Sequence, residues 1–140
     1  MIGEANRVRD FMSTNVISIE PEAQIMRAVH LLVSEDISGL PVIDSQGSLV
    51  GILTERDCIK VALQAGYYDE LGGQVAQFMS TPVTTVDPDM PLMDLAELFA
   101  QSAFRRCPVI DSGRLVGLIC RRDILRALSS GAWFPEPDNM

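Results

Sequence analysis

The sequence predicts an α/β (α+β) fold in which two β-α-β-β-α repeats pack together. Residues 8–60 and 75–126 are two copies of one segment, and about 20 aligned positions are identical once one turn residue is removed from the first copy. Within each copy, short β-rich runs alternate with apolar residues at helical spacing. Because neither copy could cover its apolar faces alone, we expect the two copies to pack on each other.

The first half of each copy predicts a strand followed by an amphipathic helix. After the tetrapeptide FMST come β-rich runs at residues 16–19 and 83–86, each closed by a proline, Pro21 or Pro88. Apolar residues then recur at helical spacing. These residues are Ile25, Ala28, Val29 and Leu32 in the first copy, and Leu92, Leu95, Ala96 and Phe99 in the second.

The second half of each copy predicts a hairpin and a final helix. The strands are expected at residues 41–44 and 49–53, and again at 108–111 and 115–119, joined by short Ser/Gly turns. The helix is predicted to begin near Glu55 or Arg121. The glycines are too scattered for a phosphate-binding fingerprint, so we interpret Gly51 and Gly117, with Gly39 and Gly47, as turn and close-packing residues.

The repeat also predicts the domain organisation. We place the first motif, with its N-terminal segment and the connection, at residues 1–70, the second motif at 71–130, and a tail at 131–140. Together they form one paired module. Trp133 and Phe134 in the tail could dock on the module itself or on another protein, and docking on the module is the favoured interpretation.

Charge and cysteine usage exclude several classes of protein. The net charge is −8, with 11 basic against 19 acidic residues, which opposes binding to nucleic acid or to an anionic membrane. No apolar run approaches the roughly 20 residues that cross a bilayer, so we expect a cytoplasmic protein. The three cysteines, Cys58, Cys107 and Cys120, include no CxxC pair, so neither a disulfide framework nor a metal site is expected.

A Thr-x-x-Asp sequence lies where the second hairpin strand of the first copy turns into a helix. One interpretation is helix capping, with Thr54 accepting a hydrogen bond from the backbone N–H of Asp57. The other is ligand binding, since an Asp carboxylate can accept from both hydroxyls of a ribose diol. In the second copy the threonine is replaced by Cys120, a poor cap, yet Asp123 is retained. Asp123 is therefore harder to explain by capping alone, although it could offset the helix dipole.

Arginines gather at one end of the second hairpin. Arg105 and Arg106 precede a strand, while Arg121 and Arg122 begin the helix after the next strand, so all four should lie at the same edge. Their guanidinium groups could hold a phosphate chain, or they could be ordinary solvated charges. The first copy has Ser38, Gly39, Glu55 and Arg56 at these positions, so we expect a less basic site there that prefers a less anionic ligand.

Two segments carry a resemblance to a known family. SGLPVIDSQGSLVGILTERD in the first copy and RRCPVIDSGRLVGLICRRD in the second resemble the signature of the cystathionine-β-synthase (CBS) domain. That signature has P-V-[VI]-D, a Gly turn, and G-apolar-apolar-[TS]-x-x-D, after an M-[ST] opening. The second copy departs from it at Cys120. The resemblance implies a tandem CBS pair (Bateman module) in which the two repeats are packed with pseudo-twofold symmetry. Such modules are often dimerised into a disc, and their clefts bind AMP, ADP, ATP or S-adenosylmethionine.

The function that this resemblance implies is a regulatory nucleotide-sensing module, without catalytic residues and without a required cofactor. The alternative is a ligandless scaffold that docks on a partner enzyme. We also expect a homodimer, through an apolar helical face at residues 25–33 and 92–100. The candidate ligand-binding residues are Ile17, Ser18, Gly39, Leu40, Pro41, Thr54, Arg56 and Asp57 in the first copy, and Thr84, Arg105, Arg106, Cys107, Pro108, Arg121, Arg122 and Asp123 in the second.

Overall fold

The computed structural model describes residues 6–68, 72–103 and 105–131, with only the backbone described at 65–68. Trp133 and Phe134 lie outside the described residues. No helix in the described ranges is long and apolar enough to cross a membrane. The elements are α1 (Val8–Phe11), α2 (Ile25–Ser34), β1 (Gly39–Ile43), β2 (Leu49–Thr54), α3 (Glu55–Tyr68), α4 (Val75–Phe78), α5 (Leu92–Ala100), β3 (Arg106–Asp111), β4 (Arg114–Cys120) and α6 (Arg121–Ser129).

Two antiparallel hairpins, β1-β2 and β3-β4, confirm the predicted mixture of helices and small sheets. The second hairpin closes with a two-residue turn, Ser112 and Gly113, whose φ angles are both positive, 53° and 81°. Positive φ angles let such a short turn match the twist of the two strands. The first turn, counted as residues 45–47 between the hydrogen-bonded Asp44 and Ser48, is one residue longer. There the carboxylate of Asp44 accepts the backbone N–H groups of Gln46 and Ser48, each at 2.9 Å.

The strands predicted at residues 16–19 and 83–86 are each reduced to one bridging residue, so this prediction is wrong. Ile19 pairs in parallel with Val42, donating to the carbonyl of Pro41 at 3.0 Å and accepting from Ile43 at 2.9 Å. The next parallel bond on one side would need an N–H from Pro41, and the next on the other side an N–H from Pro21. Proline has no N–H, so the ladder cannot extend in either direction.

The second copy repeats this arrangement with its own prolines. Val86 pairs in parallel with Val109, donating to the carbonyl of Pro108 at 3.1 Å. Pro108 and Pro88 lack the N–H groups that the neighbouring bonds would need. The same sequence pattern therefore limits both copies to a single bridge.

The chain divides into two compact units whose boundaries differ from those of the repeat. One unit, here the Asp57 unit, is Ile17–Val83; the other, the Asp123 unit, combines residues up to Val16 with those from Thr84 onward. Each unit therefore contains the opening segment of the other copy. We call residues 8–14 the first lead-in and residues 75–81 the second lead-in.

Each lead-in pairs with the second strand of the hairpin in its unit, β2 or β4. In the Asp57 unit, Ser80 and Ile52 exchange backbone hydrogen bonds of 2.8 and 3.1 Å. In the Asp123 unit, Ser13 and Leu118 exchange two bonds of 2.9 Å. The lead-ins thus cover edges of β2 and β4 that would otherwise expose unpaired backbone groups.

Each unit has its own apolar core, built from the predicted faces of its helices. Ile25, Ala28 and Leu32 of α2 are buried in the Asp57 unit, and Leu92, Leu95 and Phe99 of α5 are buried in the Asp123 unit. The lead-ins add Val75 to the first core and Val8 to the second, both with no exposed surface. A large part of each unit's stability must therefore come from apolar burial that includes the lead-in of the other copy.

Gly51 and Gly117 are close-packing residues, as predicted, because methionines of the lead-ins lie against them. A Cβ at Gly51 would lie 2.5 Å from the Sδ of Met79. A Cβ at Gly117 would lie 2.6 Å from the Sδ of Met12 and 2.9 Å from the backbone oxygen of Ser13. The methionine side chains can move, whereas the Ser13 oxygen is held by its pairing with β4.

We therefore expect Gly117→Ala to lower the free energy of unfolding by about 1–3 kcal/mol, because the first lead-in must shift away from β4. Gly51→Ala should cost less, since mainly the flexible Met79 has to move. Urea denaturation of both variants measures the difference. Gly72→Ala is the control, because its added Cβ would meet nothing within 4 Å. A Gly117→Ala protein as stable as this control would contradict the close packing.

Candidate functional site

The first copy of the site is the junction between β2 and α3, where Asp57 is buried at 5 % exposure. Its carboxylate accepts the backbone N–H of Thr54 at 2.9 Å and the Thr54 hydroxyl at 3.0 Å. In return, the Thr54 hydroxyl oxygen lies 3.2 Å from the backbone nitrogen of Asp57 and accepts its N–H. The predicted capping contact is thus confirmed. The reciprocal bonds let the chain pass from strand to helix without a loop.

Ser80, which is not among the residues predicted from the sequence, also binds this carboxylate. Its hydroxyl lies 3.0 Å from one carboxylate oxygen of Asp57 and 3.2 Å from the other. The contact forms because Ser80, in the second lead-in, pairs with Ile52 two residues before Thr54. The repeated FMST sequence was the available signal, but sequence could not show that each tetrapeptide crosses to the other copy's hairpin.

The second copy of the site is the junction between β4 and α6, where Asp123 is buried at 8 % exposure. Its carboxylate accepts the backbone N–H of Cys120 at 2.8 Å. It also forms a salt bridge with Arg126, one turn further along α6, whose guanidinium donates to the backbone oxygen of Phe11 at 3.2 Å. Arg126 therefore links the carboxylate to the first lead-in. This role of Arg126 was not predicted from the sequence, although the i, i+3 spacing was visible.

The two junctions differ in the groups that bind their carboxylates. Asp57 is held by two hydroxyls and a backbone N–H, whereas Asp123 has a cation as a partner. The hydrogen bond with Asp123, together with the attraction between the two charges, raises the pKa of Arg126 above its usual value. Arg126 is largely exposed, and its attraction for Asp123 is weakened by water and salt.

The backbone brings the predicted arginine positions to one edge of the second hairpin. Arg106 pairs with Cys120, and the N–H of Arg121 donates to the carbonyl of Arg105 at 3.0 Å. Arg122 follows in the first turn of α6. Arg105, Arg121 and Arg122 are exposed and Arg106 is half-buried. Convergence of the four guanidinium groups on a phosphate remains a prediction.

The first hairpin has the same backbone arrangement with less basic side chains. Gly39 pairs with Thr54, and the N–H of Glu55 donates to the carbonyl of Ser38 at 3.1 Å. Arg56 is exposed in the first turn of α3. Glu55 is acidic and exposed, so this edge carries one basic and one acidic side chain where the second hairpin carries four arginines.

The remaining candidates divide into buried and accessible positions. The side chains of Leu40 and Cys107 have no exposed surface, and Pro41 and Pro108 are also buried, so these four residues could offer a ligand little beyond their backbone. Ser18 and Thr84 are exposed and Ile17 is half-buried. Ile17 and Ser18 belong to the same unit as Asp57, and Thr84 to the same unit as Asp123.

All three cysteines are free thiols, and burial disfavours their ionised form. It raises the pKa of Cys107 to about 11. Burial is also the main cause that raises the pKa of Cys58 and of Cys120, with neighbouring carboxylates adding to it. The thiols therefore remain protonated at neutral pH and are poor nucleophiles.

Comparison with known proteins gives relatives and solved structures that cover most of the chain. A CBS domain-containing protein of Bacillus subtilis, YhcV, is 35% identical over 118 residues, 84% of this chain and 81% of that protein. An uncharacterised protein of Methanocaldococcus jannaschii is 31% identical over 123 residues. This chain spans only 43% of the length of that protein.

Two solved structures contain adenosine-based ligands. CBSX2 from Arabidopsis thaliana, in complex with AMP, has a TM-score of 0.79 at 32% identity and covers 89% of this chain and 97% of that one. The CBS domain pair of protein MJ0100, in complex with 5′-methylthioadenosine and S-adenosyl-L-methionine, has a TM-score of 0.77 at 28% identity, with the same coverage.

Both copies of the repeat match the sequence profile of the CBS domain, at residues 8–64 and 75–130. The matches include the two strand-to-helix junctions and both lead-ins. This chain therefore belongs to the CBS domain family, as a tandem CBS pair.

Proposed function

We propose that this chain is a regulatory module that binds an adenine nucleotide or a related adenosyl ligand beside Asp57 and Asp123 and does not turn it over. The observation that carries the proposal is that both copies place a buried aspartate at the end of a strand and the start of a helix. A carboxylate there can accept the two hydroxyls of a ribose. Among the described residues, no three His, Cys, Asp or Glu side chains form a metal-binding group.

The ligands of the solved relatives support an adenosine core. AMP, 5′-methylthioadenosine and S-adenosyl-L-methionine share an adenine and a ribose with two hydroxyls, and differ at the 5′ end. A site that recognises the shared part needs an acceptor for the ribose, which Asp57 and Asp123 would supply. The 5′ group would then be bound by the residues around the start of each helix.

Calorimetric titration with adenosine, AMP, ADP, ATP, NAD and S-adenosylmethionine tests the proposal. We expect at least one of these to bind, and expect Asp57→Asn and Asp123→Asn to weaken binding at their own site by about tenfold or more, since the amide loses a charge-assisted acceptor. Asp111→Asn, at the exposed turn of the second hairpin, should bind like wild type. Absence of heat and of any thermal shift with all six compounds would falsify the function.

The two sites should differ in how they treat the 5′ group. We propose that the arginines at positions 105, 106, 121 and 122 hold phosphates at the Asp123 site, where guanidinium groups suit phosphate oxygens. At the Asp57 site, the acidic Glu55 at the helix start would disfavour a triphosphate. That site should prefer adenosine, AMP or another ligand with less negative charge.

The double change Arg105→Ala with Arg122→Ala tests this difference. We expect it to weaken ATP binding by about tenfold or more while adenosine binding changes little, and to flatten the salt dependence of ATP binding. Arg114→Ala removes an exposed arginine at the other end of the same hairpin and should leave both ligands unaffected. Equal losses of adenosine and ATP would show that the arginines do not contact phosphate.

The predicted homodimer also remains a proposal, but the exposed apolar residues favour helices α3 and α6 over α2 and α5. The main apolar residues of α2 and α5 are buried inside their own units, leaving Val33 and Met93 exposed. On α3, Ile59 and Leu63 are 61% and 65% exposed, and on α6, Leu125 and Leu128 are 55% and 46% exposed. We propose that a second copy of the chain covers these residues of α3 and α6.

Light scattering should give the mass of a dimer for the wild type and of a monomer for Ile59→Glu combined with Leu125→Glu, because a buried unpaired carboxylate opposes association. The matched control is Val33→Glu combined with Met93→Glu, which places the same charges on α2 and α5. If only this control dissociates, the dimer uses the helical face at residues 25–33 and 92–100. A monomeric wild type at high concentration would end the dimer proposal.

A further inference from the structure

The carboxylate of Asp57 already binds nearly as many donors as it can accept. Its two oxygens offer about four acceptor positions in all. Three donors occupy them, namely the backbone N–H of Thr54, the hydroxyl of Thr54 and the hydroxyl of Ser80. One position is therefore left, whereas the two hydroxyls of a ribose need two.

Of the three donors, Ser80 is the one that can leave. The N–H and the hydroxyl of Thr54 belong to the reciprocal cap that begins α3, and losing them would undo the strand-to-helix junction. The Ser80 hydroxyl is one bond rotation away from water, because Ser80 is an exposed residue whose backbone is held independently by Ile52. Its shorter contact, 3.0 Å, is to the carboxylate oxygen that Thr54 does not use, and its longer one, 3.2 Å, is to the oxygen that Thr54 uses.

Resting on the function proposed above, we propose that Ser80 is a specificity-determining residue of the Asp57 site, where its hydroxyl occupies the place of one ribose hydroxyl and must be displaced by it. The residue comes from the second lead-in and not from the motif that carries Asp57. Ligand binding at Asp57 thus exchanges an internal hydrogen bond for an external one. The gain per ribose hydroxyl is correspondingly small.

The Asp123 site lacks this competitor. Among the described residues its carboxylate accepts from the backbone N–H of Cys120 and the guanidinium of Arg126, and the thiol of Cys120, a weak donor, also hydrogen-bonds to it. None of these donors is a hydroxyl, so a ribose diol at Asp123 would displace at most a weakly bound thiol. The corresponding serine of the first lead-in, Ser13, pairs with Leu118 through its backbone in the same way as Ser80 with Ile52. Ser13 therefore provides a matched control for Ser80.

The test compares adenosine with 2′-deoxyadenosine in an Asp123→Asn background, so that calorimetry reports on Asp57. We expect Ser80→Ala to strengthen adenosine binding by about tenfold, because the diol no longer competes with an internal donor. The affinity for 2′-deoxyadenosine should change little, since a single hydroxyl can use the position that is already vacant. Ser13→Ala should change neither affinity.

Stability should move in the opposite direction. Ser80→Ala removes a donor from a buried carboxylate, so the ligand-free protein should melt at a lower temperature than wild type while its stabilisation by adenosine increases. A residue with only a structural role would lower both. Should Ser80→Ala fail to fold, Ser80→Cys keeps a similar volume with a weaker donor, and a smaller gain in adenosine affinity is then expected.

The outcomes separate this proposal from the function on which it rests. Adenosine binding that weakens in Ser80→Ala, or strengthens equally for both nucleosides, overturns the role of Ser80 and leaves the function standing. No binding of either nucleoside to the wild type or to any variant overturns both. A ribose-specific gain in Ser80→Ala that Ser13→Ala lacks supports both.

Discussion

The hydrogen bond that the last backbone N–H of a strand donates to an aspartate carboxylate is the interaction on which both halves of this protein depend. In each copy the strand ends at one residue and the helix begins at the next, so no loop residues are available to satisfy the exposed N–H groups. Asp57 and Asp123 satisfy them from inside the first helical turn. This arrangement buries a negative charge, so each carboxylate needs further hydrogen-bond donors.

Those further donors explain why the lead-ins matter to the site. At Asp57 the extra donor is a hydroxyl of the second lead-in, and at Asp123 it is Arg126, which also binds a carbonyl of the first lead-in. In the Asp57 unit the carboxylate contacts the lead-in directly, and in the Asp123 unit it contacts the lead-in through Arg126. A ligand or substitution that alters the hydrogen bonds of the carboxylate therefore affects a lead-in. Each lead-in belongs in sequence to the other copy.

Duplication with small substitutions has made two electrostatically different junctions from one backbone. The hydrogen bond between the positions before the first strand and at the start of the last helix is present in both copies, Ser38 with Glu55 and Arg105 with Arg121. The backbone geometry is thus shared, while the side chains at this edge change from mixed charge to strongly basic. A repeat of this kind can keep one fold and vary the charge of the ligand that each site prefers.

The sequence by itself determined the repeat, the helices, the hairpins and the strand-to-helix junctions, because periodicity, turn residues and capping are local properties of the chain. It overestimated the strands before α2 and α5, although Pro21 and Pro41 were visible, since the missing N–H groups matter only once the parallel partner is known. Only the tertiary structure placed Ser80 on Asp57 and connected Arg126 to Phe11, across 23 and 115 residues. Such contacts depend on which hairpin each lead-in covers, and two nearly identical hairpins offer the same local pattern, so the choice is made by packing of the whole chain.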